Sequence, residues 1–411
     1  MKTPFWIAMT SLIVSLTSNA TAFPSRDVVT EAIVTSPALE EAKAQREEAE
    51  ALARVRRVGP YEVALSGSVG ERTVENGMAP DATYSEWRMD VSRTVRLPGK
   101  RGLDRQLASL EYDRARLEYE KAYQDLALRF VDLWTAWRRD QQLAELLQQA
   151  AEEAEQLASM ELSGAEIGGS RQVDAEIALA YASQLRSDAL RMALNAERQK
   201  KMLFSTFPTL IVSDLEDVDD DLTSHTATAS ESVRLIDTEL ARVTAEYGRV
   251  LRRRQRYETL PDPTLSVGFS NEFGGRETAV VASVSIPIGG RARAATSAAA
   301  SARAASAEAA LRRVVLDGEQ RVAMLRAAAE NATLQEKLAR DGSGAIRQSL
   351  IRLESGHQEH AVTLRELVQT RRNLLDTEQS LITNRAEAEK ARLQLDILLG
   401  RFGTAFSSPE D

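Results

Sequence analysis

None of the 411 residues is a cysteine, only 5% are aromatic, and the only histidines are His225, His357 and His360. Without thiols there is no disulfide, no thiolate metal site and no N-terminal cysteine to carry a lipid. So few imidazoles, spread this way, give no Ser-His-Asp centre. Gly99-Lys100 lacks both the upstream glycine and the following Ser/Thr of a phosphate-binding loop, so the chain has no visible energy source of its own. Positive charge is not in excess either: a net charge of −9 argues against nucleic acid as a partner. Beyond the first 22 residues no hydrophobic run reaches the length of a transmembrane helix. No catalytic residue, no cofactor and no enzymatic activity are expected.

What the chain does contain is Ala, Glu, Gln, Leu and Arg in long stretches, the composition of extended helices. Lys2, an apolar run from Phe5 to Leu16 and the small residues of Ala20-Thr21-Ala22 form an export signal, expected to be cleaved after Ala22.

The remainder reads as a repeat. "SPALEEAKAQREEAEALARVRRVGP" (36–60) is a helix with Ser36 as N-cap and Pro37 at its first position. Two alternating segments follow. Val63, Leu65 and Val69 alternate with small or polar residues in the first. Trp87, Met89, Val91 and Val95 alternate in the second, with Arg93 the only charge in the apolar register. "VRLPGKRG" (95–102) then opens a very long helix, whose apolar seam steps by four and three from Tyr119 through Trp137. Glycines 164, 168 and 169 break it, and a second helix returns.

The same order recurs: a helix near 232–257, strands around "TLSVGFS" and "TAVVASVSIPI", then a long helix from about Arg291. Breaks are expected at Gly342, Gly344 and Gly356, before a returning helix through "TLRELVQTRRNLLDTE". The organisation expected is therefore 1–22 signal, 23–212 first repeat, 213–231 acidic linker, 232–403 second repeat and 404–411 disordered tail. The linker's acidic run lacks the glycine and terminal Glu of a calcium loop. The first hairpin is about 14 residues longer than the second, and those residues are expected in its loop.

The helices use their apolar seams on one another, so the apolar strand faces need another partner. Lipid fits. Strands of roughly 9–11 residues suit a tilted bilayer crossing. Open edges cannot persist in hydrocarbon, so identical copies must close the sheet, and three copies would give a lumen wide enough for water. Pro98, Gly99, Pro287, Gly289 and Gly290 are read as the points where strand becomes helix. Arg56, Arg57, Arg96, Lys100, Arg101, Arg252, Arg253, Arg254, Arg291 and Arg293 gather at the crossings, and are expected to form a basic collar against lipid phosphates. Trp134 and Trp137 are read as packing, and Tyr84 with Trp87 as an aromatic girdle.

"SPALEEAKAQ", "VSRTVRLPGKRG", "VSIPIGGRAR", "GGSRQVDAEIALA" and "TLRELVQTRRNLLDTE" together resemble the TolC-type outer membrane efflux proteins, most closely the CzcC-like heavy-metal branch. The resemblance covers nearly all of the chain after the signal. It implies a mainly α fold with a small β part: duplicated helical hairpins forming an α-barrel, and four membrane strands per chain completing a twelve-stranded barrel as a homotrimer. It also implies a Gram-negative outer membrane location reaching into the periplasm, a periplasmic adaptor (membrane fusion) protein, an inner-membrane RND-type pump and possible heavy-metal cargo. Two departures stand out: the absent lipidation cysteine, and a second tip between Gly356 and Leu367 about one turn longer than the family's usual spacing.

The resemblance places the constriction at the hairpin tips. Glu166 and Asp174 in one tip, and Glu354, Glu359 and Glu366 in the other, are the candidate acidic gate residues. His357 and His360, spaced i,i+3, are weak metal-ligand candidates. The competing reading is a periplasmic coiled-coil adaptor or structural spacer. An adaptor usually has one helical hairpin flanked by soluble β domains, whereas two hairpins of each kind alternate here.

Overall fold

The computed structural model describes residues 23–59, 61–75, 81–211, 235–288, 290–359 and 361–400. The signal, the acidic linker, the tail, Gly289, His225 and His360 lie outside them. The elements run α1 (Arg26–Val34), α2 (Pro37–Val58), β1 (Val63–Val74), β2 (Ala82–Thr94), α3 (Pro98–Glu166), α4 (Gln172–Thr206), α5 (Ile236–Arg256), β3 (Thr264–Glu272), β4 (Glu277–Ser285), α6 (Arg291–Gln358) and α7 (Leu364–Leu398). The chain is mainly α with one small sheet.

The duplication is close. The long helices α3 and α6 have 69 and 68 residues, and both return helices have 35. At ~1.5 Å per residue, each long helix extends roughly 100 Å. Proline occupies the first turn of α2 and α3, where its missing N–H is no loss. Thr363 and Glu366 form a reciprocal capping box that starts α7. The short helix α1 was not foreseen. Ser25 caps it, and Phe23, Val29 and Ile33 belong to the same core as Trp134.

Of the glycines expected to break the second long helix, Gly342 and Gly344 do not, since α6 runs through both, whereas Gly356 lies in its last turn, two residues before its end at Gln358. Isolated glycines weaken a helix by only about 1 kcal/mol each, which continuous packing against α7 offsets. The two tips are the same turn. The Gly164 carbonyl accepts from the N–H groups of residues 169 and 170, and the Gly356 carbonyl from those of 361 and 362. A Cβ on Gly164 would lie 2.5 Å from Ser170 Oγ, and one on Gly356 2.7 Å from Val362 Cγ2, so both turns need glycine there. The second tip is thus no longer than the first.

The four strands form one antiparallel sheet in the order β1-β2-β3-β4, whose edges are β1 and β4. β1 and β2 have 12 and 13 residues, against nine each for β3 and β4. The additional length of the first hairpin therefore goes into its ladder as well as its loop. Among the helices, α3 packs on α2, α4, α5 and α7, α4 also touches α7, and α6 packs on α5 and α7.

Candidate functional site

The register places Val63, Leu65 and Val69 of β1, Trp87, Met89 and Val91 of β2, Leu265, Val267 and Phe269 of β3, and Val280, Ala282 and Val284 of β4 on one face. This face is turned out: Leu65 is 72% exposed, Val267 57% and Val280 74%. The opposite face carries Ser66, Ser68, Arg88, Asp90, Ser266, Ser270 and Ser283, and along β2 and β3 it is the more covered of the two. A sheet folding in water shows the reverse pattern, so the apolar face is suited to lipid. Trp87 lies on it, 5.6 Å from Phe269. Tyr84 does not: the two-residue period puts it on the polar side, 5.5 Å from Phe273 and under Arg276. Of the two residues read as an aromatic girdle, only Trp87 lies on the apolar face.

The first junction passes from strand to helix within three residues, with Pro98 opening α3. Pro287 lies in the connection between β4 and α6, and Gly290 is the N-cap of α6. A Cβ on Gly99 would meet the Tyr257 ring at 3.2 Å. Part of the expected basic collar is an internal ion cluster. Arg96 pairs with Asp104 at 3.0 Å, and Asp104 also accepts from Arg254 at 2.8 Å. Lys100, fully buried, has Asp262 at 3.2 Å and Glu258 at 3.6 Å. Arg254 also pairs with Glu258. Arg56 binds Glu111 at 2.8 Å, and Arg293 donates to the Glu258 carbonyl at 3.0 Å.

The cluster joins the two repeats, and its acids stand within reach of each base, so the charges neutralise one another instead of facing outward. This corrects the collar for Arg96, Lys100 and Arg254. Arg57, Arg101, Arg253 and Arg291 stay exposed, and Arg252 is half-buried. Burial opposes ionisation of Asp262. The Tyr61 hydroxyl at 2.6 Å, the Leu97 N–H at 3.0 Å and the Lys100 ammonium outweigh it and hold its pKa below the usual carboxylate value.

At the tips, most of the acidic gate candidates are engaged locally. Asp174 is held by Arg171 at 2.8 Å and Glu354 by Arg371 at 2.7 Å, while Glu366 serves the capping box. Glu166 and Glu359 are exposed. Sequence reasoning missed buried Glu161, whose carboxylate lies 2.9 Å from His357 Nε2. Nδ1 of the same ring faces the Val362 carbonyl at 3.0 Å, so both nitrogens of this metal candidate are engaged. Among the described residues no group of three or more His, Asp or Glu side chains could hold a metal ion.

Trp134 and Trp137 pack as expected, edge to face at 5.3 Å, in a cluster with Phe130, Phe207 and Leu203. No helix among the described residues is long and apolar enough to cross a membrane.

The chain thus combines an outward apolar sheet with duplicated long helical hairpins. Residues 28–205, most of the first repeat, match the family model described as outer membrane efflux protein. No curated protein matches the chain. Among solved structures, the Campylobacter jejuni CmeC outer membrane channel aligns over 92% of this chain and 88% of its own, with 13% identity and a TM-score of 0.75. For the Vibrio cholerae outer membrane protein VceC the values are 91%, 95%, 17% and 0.75. The open state of the Neisseria gonorrhoeae MtrE outer membrane channel gives 92%, 89%, 15% and 0.72. At these identities the likeness is one of fold.

Proposed function

We propose that the protein is the outer membrane conduit of a tripartite efflux system: a homotrimer that passes substrates from periplasm to exterior, delivered by a periplasmic adaptor and an inner-membrane pump. The observation that carries this reading is the inverted sheet, apolar outside and polar on its covered face, with β1 and β4 as open edges. Hydrocarbon does not tolerate unpaired strand edges, so copies must supply the missing neighbours. The helices support the same closure. Leu316, Met324, Leu334 and Leu338 are exposed on α6, and Leu179, Leu190 and Leu194 on α4. Exposed Glu166 and Glu359 are the acidic residues best placed to face permeating cations at the tips. The CzcC-like resemblance makes heavy-metal cations the first cargo to test.

Detergent extraction from membranes, with a trimer on unheated gels that collapses to monomer on boiling, is the expected behaviour, together with conductance in planar bilayers. A monomer soluble without detergent would instead support the adaptor or spacer reading. Deletion of the gene is expected to sensitise cells to heavy-metal cations; unchanged metal tolerance would remove that cargo.

A further inference from the structure

On the polar face of β2, Arg88 forks onto Asp90, with Nε 2.8 and 3.0 Å from the two carboxylate oxygens and Nη2 2.8 Å from Oδ1. Asp90 stands directly opposite Gly268 in the ladder between β2 and β3. A Cβ at Gly268 would lie 2.0 Å from Asp90 Oδ1 and 3.3 Å from Arg88 Nη2. The charged pair therefore lies flat across the glycine, in space that any other residue would take.

The position of the pair along the sheet matters as much as its geometry. On one side of it the polar face carries the other charges: Arg72 with Glu86 at 2.9 Å and Glu272 at 3.7 Å, and Glu277 at the start of β4. On the other side, toward the helices, the strands of the same face carry no charge: Ala64, Ser92, Thr94, Thr264, Ser266, Ser283 and Ser285 form it. Arg88 and Asp90 are thus the last charged level before an uncharged stretch of wall.

We propose that the Arg88–Asp90 fork, seated on Gly268, is a selectivity-determining belt of the lumen for small hydrated ions. Paired, the two charges cancel at this level; Gly268 keeps them against the wall and out of the bore. In a low-dielectric sheath a ring of uncompensated charge acts strongly on permeating ions, so compensation here decides what the wall contributes. This inference rests on the conduit reading, because only a closed sheet turns a polar face into a lumen.

The test is the potassium to chloride permeability ratio of the purified trimer in planar bilayers under a potassium chloride gradient. Asp90→Asn uncovers Arg88, and the ratio is expected to fall several-fold. Arg88→Gln uncovers Asp90, and the ratio rises. The double variant returns to the wild-type value. Gly268→Val displaces the pair and lowers single-channel conductance; should that variant fail to assemble, the charge variants still decide. Single variants that assemble and conduct with an unchanged ratio would overturn the belt. Failure of the wild-type protein to form a trimer or conduct would overturn the conduit reading itself, and the belt with it.

Discussion

His357 Nε2 lies 2.9 Å from the Glu161 carboxylate, across 196 residues of sequence, and joins the ends of the two helical hairpins. Burial lowers the imidazole pKa, but the Val362 carbonyl, Glu161 and nearby Asp174 outweigh it, and the pKa is raised above 6.5.

A raised folded-state pKa means that the joint's stabilisation is fully present below the unfolded value and is lost as pH rises through the folded one. The tip is therefore expected to hold firmest in mild acid and to loosen on the alkaline side. Hydrogen-exchange protection at 167–171 and 359–363, taken relative to the intrinsic base-catalysed rate at each pH from about pH 5.5 to about pH 8.5, reads this. His357→Ala should abolish the pH dependence and speed exchange at low pH. Arg171, which holds Asp174 at 2.8 Å, limits how far that second carboxylate contributes.

Removing one partner from the buried junction cluster leaves the other charge stranded. Lys100→Met is expected to destabilise the protein by about 3 kcal/mol, read as a lowered Tm by circular dichroism in detergent. Lys100→Met with Asp262→Leu should recover part of the loss. Because the Asp262 pKa is lowered, its contribution is present above the usual carboxylate value and disappears as pH falls through the folded one. The wild-type protein should lose stability in strong acid, and Asp262→Asn should lose less.

The two faces of β3 predict opposite responses to the same substitution. Val267→Arg puts a charge on the exposed apolar face and is expected to oppose membrane insertion by about 2–4 kcal/mol. Ser266→Arg, one residue away on the polar face, is expected to be tolerated. Membrane fractionation of both variants checks this. Equal behaviour would mean that the apolar face does not meet lipid.

Trp134 is 2% exposed and touches Phe23, Trp137 and the Phe130 cluster. Trp134→Ala should destabilise the helical core by about 3–5 kcal/mol without changing ion selectivity. Thermal unfolding and the bilayer permeability ratio separate the two effects.

Much of this was legible in the amino-acid order. The strand faces followed from alternation, the helix seam from its steps of four and three, and the returning helix α7 from "TLRELVQTRRNLLDTE". Gly268 was visible only as one small residue in an alternating strand, since nothing local shows that Asp90 lies across from it. Arg96, Lys100 and Arg254 were read as facing lipid because counting bases along a chain does not reveal which acids the folded chain sets beside them. Glu161 looked like one more glutamate on a helix until the second tip came down beside it.

The sequence by itself determined the period of each segment, the duplication and which strand face is apolar, because these depend on residues a few positions apart. The pairing of Lys100 with Asp262, of Glu161 with His357 and of Asp90 with Gly268 was decided only by the tertiary structure. Those partners lie more than 150 residues apart, and what a charge does depends on which opposite charge, backbone or empty space the completed packing sets against it.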